Sequence, residues 1–440
     1  MVKLASIQGP QIMNYINFRK DPLKWLYDQL KLGDIVAISK TVPKPSYVIN
    51  HPESVKEILT TKDPYFIKGN SSRIFSKTLG NGLLTSEGDA HKQQRKRIQP
   101  AFHKRRISSY GTIVTDYTND LISSWTDGEV RTISQDMMNV TLRIIVKTMF
   151  GADINREEEQ ITTAVNNIID KSAQLLLWPF PFLEKWPTKS NKRYKQSIEV
   201  LDHLSHQLIE LGKKYKEEHL LTMLLHTRYE DGTRLQEKEI RDQVVTFIIA
   251  GHETTANVLS WMWYLVSQHP NVEDKLLKEI DTVLKGEPPT FEHLSKLPYS
   301  IQIFQETLRL YPAAWIILRE ANANVSIAGY SFPKGSSFLI SPYAIHRHPA
   351  YFENAEKFIP ERFEKRQASS IQSYSYFPFG AGSRGCIGSQ FAMMEAVLVF
   401  VVISQKFKLR LANPNDHVLP EPLLSLRIKD GLQMRLVKRE

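Results

Sequence analysis

Short apolar runs broken by prolines open the chain. Ile35–Ser39 and Tyr47–Asn50 predict two strands of a β-hairpin, joined by a loop carrying Pro43 and Pro45. Pro52 then predicts the start of a helix over Glu53–Leu59. From Ala90 to about Ile122 the spacing is helical and strongly basic at its start, and helical patterns dominate as far as Tyr311. The longest runs from near Gln236 to Gln268 and stops before Pro270. Strand signals return at Val325–Ile327 and Phe338–Ser341, a helix is expected from Ser389 to Gln405, and Phe407–Val437 reads as strands. The pattern predicts a mostly α protein with a smaller β part.

The apolar run Val244–Val266 is long enough to cross a bilayer. His252, Glu253, Thr254 and Thr255 interrupt it at its middle, and an acid there costs about 2.5–3.5 kcal/mol on insertion. A buried central helix whose polar cluster faces a cavity is therefore expected, with no membrane span. Met1–Pro10 has neither the apolar core nor the cleavage site of a signal peptide. No repeat and no Gly/Ser- or Pro-rich linker divides the chain, so residues 1–440 read as one domain. One cysteine and no leader point to a reducing cytoplasm. The net charge of +10 allows an acidic partner or surface, but no nucleic-acid recognition module is visible.

That single cysteine, Cys386, lies in Phe379-Gly380-Ala-Gly382-Ser-Arg384-Gly-Cys386-Ile-Gly388. A lone thiol is more often an inert buried group. Here glycines on both sides let the backbone approach something flat or bulky, and Arg384 supplies positive charge; both favour the thiolate. A glycine-lined thiolate without a partner cysteine points to an axial ligand of a metal already held by something else, with haem the obvious candidate.

Four stretches, in order along most of the chain, resemble the cytochrome P450 family. The cysteine loop resembles its haem-binding loop. Glu306-Thr-Leu-Arg309 resembles its Glu-x-x-Arg pair, and Pro360-Glu-Arg362-Phe follows in the family's order. Ala250-Gly-His-Glu253-Thr254-Thr is similar to its oxygen-activation motif. His91-Lys-Gln-Gln-Arg95 occupies the position of its Trp-x-x-x-Arg element, with histidine replacing tryptophan as a hydrogen-bond donor. The resemblance implies the cytochrome P450 fold, with haem b (iron protoporphyrin IX) between the long central helix and the cysteine-loop helix. It makes Cys386 the axial ligand of the haem iron, held in a loop shaped by Phe379, Gly380 and Gly388. It assigns the haem propionates to His91, Arg95, Arg319 and Arg384. Glu306, Arg309 and Arg362 become a buried structural network. Thr254 would hydrogen-bond the oxygen being activated, and Glu253 would help relay protons.

The implied activity is a bacterial-type monooxygenase that inserts one oxygen atom of O2 into an apolar substrate such as a fatty acid or terpenoid. Leu84, Ile249, Ala250, Ala314 and Ile316 would line the substrate side, and Leu175–Pro187 reads either as an apolar lid or as a packed loop. With no fused reductase, electrons are expected from a ferredoxin or flavodoxin with its reductase, docking on the basic run Lys92–Arg106 of a monomer. A peroxygenase is the first alternative, disfavoured by the Glu253–Thr254 pair. A non-enzymatic haem sensor is the second, and it would carry an output domain.

Overall fold

The computed structural model describes residues 3–39, 44–154, 157–177, 186, 188–215, 219–229 and 231–439. Most of the expected lid at 175–187 lies outside them. The chain forms two compact units that alternate along the sequence: Met1–Ile74, Glu87–Lys92 and Gln305–Cys386 make the first, and Phe75–Ser86, Gln93–Phe304 and Ile387–Glu440 the second.

The first unit is built on a six-stranded mixed sheet, ordered Leu4–Ser6, Ile35–Ser39, Ser46–Ile49, Ser337–Ile340, Ile317–Ala321, Phe66–Ile67. The expected hairpin is present, with Ile35 opposite Ile49 and Val36 opposite Val48. Its second strand runs parallel to Ser337–Ile340, setting Tyr47 opposite Phe338 with rings stacked 5.6 Å apart. Phe66 and Phe332 meet the fully buried Phe338 edge-on, closing an aromatic core. The helix opened by Pro52 ends at Lys56, and Glu57–Thr61 continues as one wider π-helical turn.

Behind the cysteine loop, Glu306 and Arg309 are completely buried. Arg309 Nε and Nη2 donate to the two carboxylate oxygens of Glu306 at 2.7 and 2.8 Å. The remaining guanidinium hydrogens reach the carbonyls of His346, Ala355 and Lys357 at 2.6–2.9 Å. Glu306 also accepts from the Ile359 N–H at 2.9 Å and from Arg362 Nε at 3.3 Å. The family resemblance implied a buried network of Glu306, Arg309 and Arg362, and these bonds join the three. His346 extends it: its Nε2 accepts from the Phe377 N–H at 3.0 Å. The ring is therefore neutral, and burial, reinforced by Arg309, lowers its pKa to about 3. The His346-Arg347-His348 run thus serves backbone support.

The second unit is helical. Its principal helices include Lys104–Ser123, Ile133–Phe150, Glu158–Leu177, Lys189–Gly212, the central helix Glu237–Ser267, Pro270–Leu284 and the cysteine-loop helix Ser389–Lys406. The central helix has 31 residues and spans about 46 Å. Glu239 caps its start by accepting from the Gln236 N–H at 2.8 Å, and Pro270 opens the next helix at its first position. Nearly every face of the central helix is buried in protein, as expected for the Val244–Val266 run. Among the described residues, the helix long and apolar enough to cross a membrane is Ser389–Lys406, and it too is mostly buried. A three-stranded antiparallel sheet (Phe407–Leu411, Gln433–Lys438, Val130–Thr132) and a terminal hairpin (Pro420–Pro422 with Leu426–Ile428) complete the unit.

Replacing Arg309 by Leu leaves the buried Glu306 carboxylate with only the longer contact to Arg362 as its ionic partner. The expected loss is about 3–5 kcal/mol of unfolding free energy, measured by urea denaturation. Glu306→Leu added to Arg309→Leu is expected to restore part of it.

Candidate active site

The cysteine loop is shaped by two glycines in the left-handed region. Gly380 and Gly382 both have φ of +67°. At Gly382 a Cβ would stand 1.8 Å from the Leu59 carbonyl oxygen, so no other residue fits beneath the π-helical turn. A 3₁₀ turn over Gly382–Arg384 follows, and the Cys386 N–H donates to the Phe379 carbonyl at 2.9 Å. Phe379 is two residues past Phe377, whose N–H is held by His346. The buried Glu306–Arg309 network is in this way linked to the cysteine loop. Cys386 itself is exposed at the end of it.

Beside the loop, three cations lie within electrostatic reach of one another. Arg384 pairs with Glu87, whose carboxylate also accepts from the Lys68 N–H at 2.8 Å. Arg319 is buried, and its pKa is pushed down to about 10, first by that burial. Lys68 retains some exposed surface while its ammonium lies deep in protein. Burial, then Arg319 and Arg384, lower its pKa to about 7 against the pull of Glu87. Such a cluster is short of negative charge and suits a ligand bearing carboxylates. Lys68 belongs to no recognised motif, and nothing in the sequence singles it out. His91 is buried one helical turn before the half-buried Arg95, on the same face of Gly88–Ile98.

In the second unit the central helix is fully buried from Asp242 to Trp263 except at Ala250, Gly251 and Thr254. These three form one stripe of small residues and a hydroxyl, the shape a flat ligand can approach. The Thr254 hydroxyl donates back to the Ala250 carbonyl at 2.8 Å. Gly251 has a further function: a Cβ there would lie 2.7 Å from Ile145 Cδ1, so the glycine permits close packing of the helix Ile133–Phe150.

The expected polar cluster does not share one face, because successive helical residues turn by about 100°. His252 is fully buried, its Nδ1 lies 3.0 Å from the Ile248 carbonyl, and burial lowers its pKa to about 4. Glu253 turns toward the terminal hairpin. Its Oε1 accepts from the Ser425 hydroxyl at 2.7 Å and from Asn257 Nδ2 at 3.4 Å. Burial raises its pKa to about 7, opposed by those bonds and by Arg427. Thr255 is buried toward Glu395, whose carboxyl oxygens have no well-formed hydrogen bond among the described residues and whose pKa burial drives well above the ordinary carboxylate range. Asn257, one turn from Glu253, was findable from helical spacing; Ser425 and Glu395 carry no sequence signal.

Of the substrate-side candidates, Ile249 is buried, Leu84, Ala250 and Ile316 are half-buried, and Ala314 is exposed.

A family model described as Cytochrome P450 matches residues 8–434. The chain is 35% identical to cyclooctat-9-en-7-ol 5-monooxygenase of Streptomyces melanosporofaciens, over 88% of this chain and 85% of that protein. It is 32% identical to cyclooctatin synthase of the same organism, over 92% and 89%. Against pentalenene oxygenase of Streptomyces avermitilis the identity is also 32%, over 95% and 93%. The glycine-shaped cysteine loop, the cationic cluster and the small-residue stripe are thus found in a chain that belongs, over nearly its whole length, to the cytochrome P450 family of haem-dependent monooxygenases.

Proposed function

We propose that this cytochrome P450 is a single catalytic domain, a cytoplasmic monomer, that oxygenates a cyclic terpenoid. The substrate class rests on the relatives, named as a monooxygenase of cyclooctat-9-en-7-ol, a cyclooctatin synthase and a pentalenene oxygenase. The observation that carries the chemistry is the Ala250–Gly251–Thr254 stripe beside a buried acid of pKa about 7. Haem b, when bound, would supply O2 activation with electrons from a redox partner. The Cys386 thiolate would hold its iron, in the loop formed by Phe379, Gly380 and Gly388. His91, Arg95, Arg319, Arg384 and Lys68 would hold its propionates.

The protein's part is proton control. The Thr254 hydroxyl, which donates to the Ala250 carbonyl at 2.8 Å, would hold a proton at the stripe beside the substrate. Glu253, its pKa raised by burial to about 7, is a suitable acid. Residues i and i+1 on a helix do not face each other, so Glu253 must swing off the hairpin or act through water to serve Thr254. Of the apolar candidates, Leu84, Ala250, Ala314 and Ile316 keep exposed surface for a substrate, whereas Ile249, buried in the helix packing, does not. The exposed Lys96, Lys104 and Arg105 suit an acidic ferredoxin or flavodoxin.

Three outcomes are expected. Cyclic terpenoid alcohols and hydrocarbons shift the ferric spectrum toward high spin, and carbon monoxide on the reduced protein gives the thiolate-type Soret band. A histidine-type band in folded protein removes Cys386 as ligand, and fatty acids shifting the spectrum while terpenoids do not overturns the substrate class. Thr254→Ala keeps haem but loses roughly 10²-fold in product, with electrons diverted to peroxide. Product per electron pair is the measurement, and unchanged coupling excludes the role given to Thr254.

A further inference from the structure

Glu253 is docked on an element remote in sequence. The terminal hairpin folds back so that the turn Leu423–Ser425 lies against the central helix. Two anchors fix it there. The Trp261 indole N–H donates to the Leu426 carbonyl at 2.9 Å, and Asn257 Nδ2 donates to the Ser425 oxygen at 2.6 Å. Asn257 occupies one lone pair of the Ser425 oxygen and so orients the hydroxyl, whose hydrogen is donated to Glu253 Oε1 at 2.7 Å. Ser425, Asn257, Trp261 and Glu253 are all buried. On the next strand Arg427 is paired with Glu421 at 2.7 Å and with Asp170, on the helix Glu158–Leu177, at 3.2 Å.

We propose that Ser425 is the positioning residue for Glu253: oriented by Asn257, its hydroxyl docks the carboxyl on the hairpin and favours the ionised form, so that the hairpin governs when Glu253 takes up and releases its proton. A hydroxyl hydrogen aimed at the carboxyl stabilises the carboxylate more than the carboxylic acid, because the charged oxygen is the stronger acceptor. The charged groups acting on Glu253 are Arg427, which favours the carboxylate, and Asp170, which opposes it; burial outweighs both. Glu395, from the helix Ser389–Lys406, faces Thr255 instead. Partly screened by Glu421 and Asp170, Arg427 leaves Ser425 as the strongest direct contact holding the negative charge. The proposal rests on Glu253 being the proton donor of the reaction.

The test measures product per electron pair between pH 5.5 and 9 in holoenzyme, with the carboxyl stretch of Glu253 titrated in parallel by difference infrared spectroscopy of the resting protein. Glu253→Gln identifies the infrared band and is expected to flatten the coupling profile. Ser425→Ala removes the donor to the ionised form, so both midpoints are expected to rise by about one pH unit. Ser425→Thr is expected to restore them. Asn257→Ala, which frees the serine hydroxyl, is expected to shift them the same way by less. Combined with Glu253→Gln, Ser425→Ala has no further effect on the profile.

If Glu253→Gln leaves coupling and its pH dependence unchanged, the role given to Glu253 fails. If Glu253→Gln flattens the profile while Ser425→Ala and Asn257→Ala move neither midpoint, the role given to Ser425 fails alone. A shift in Ser425→Ala that Ser425→Thr does not reverse marks a packing effect and also overturns it. The thiolate-type carbon monoxide spectrum confirms folded holoenzyme for each variant.

Discussion

A carboxylate and a guanidinium without solvent contact are stable together only when every other lone pair and N–H is also satisfied. Glu306 and Arg309 meet that condition through three backbone carbonyls, one backbone N–H and Arg362. The segments so gathered, His346 to Ile359, are otherwise irregular loop, with little repeating hydrogen bonding of their own. The ion pair supplies the internal partners that regular structure supplies elsewhere. Through the neutral His346 ring it also fixes Phe377, and through the loop turns it fixes the Cys386 backbone. The position of the thiol therefore depends on a charge pair that touches neither substrate nor cofactor.

The second unit solves a different problem, the storage of protons inside an apolar helix bundle. Burial alone drives a carboxyl toward its neutral form, as Glu395 illustrates. Glu253 experiences the same burial but gains the Ser425 and Asn257 donors and the field of Arg427, and its pKa settles near 7. Two acids in one bundle thus differ through what the hairpin brings to one of them. Lys68 shows the converse in the first unit: burial, with Arg319 and Arg384 beside it, lowers its pKa to about 7.

Much of this was legible in the chain. The long central helix, the Ile35–Ile49 hairpin and the cysteine-loop helix follow from periodicity and from proline placement, which act locally. The Glu-x-x-Arg pair was legible because its spacing puts both groups on one helix face. Gly382 was legible as a glycine required for close approach, although the group approached is the Leu59 carbonyl. At Gly251 the structure adds the Ile145 contact, set by a neighbouring helix that no local pattern reveals. The polar cluster at 252–255 was expected to face one cavity, but helical rotation sends His252, Glu253 and Thr255 into separate buried environments.

What the sequence determined by itself was chemistry carried by neighbours along the chain: a glycine-flanked thiol, an acid next to a threonine, and an ion pair one turn apart. These depend on covalent order and helical pitch, so they survive any arrangement of the rest. The tertiary structure alone decided which way the acid points and how tightly it holds its proton. Glu253 and Ser425 are 172 residues apart, and Lys68, Arg319 and Arg384 come from three distant segments. Proton affinity and ligand charge preference are sums over everything within a few ångströms, and only the folded chain defines that neighbourhood.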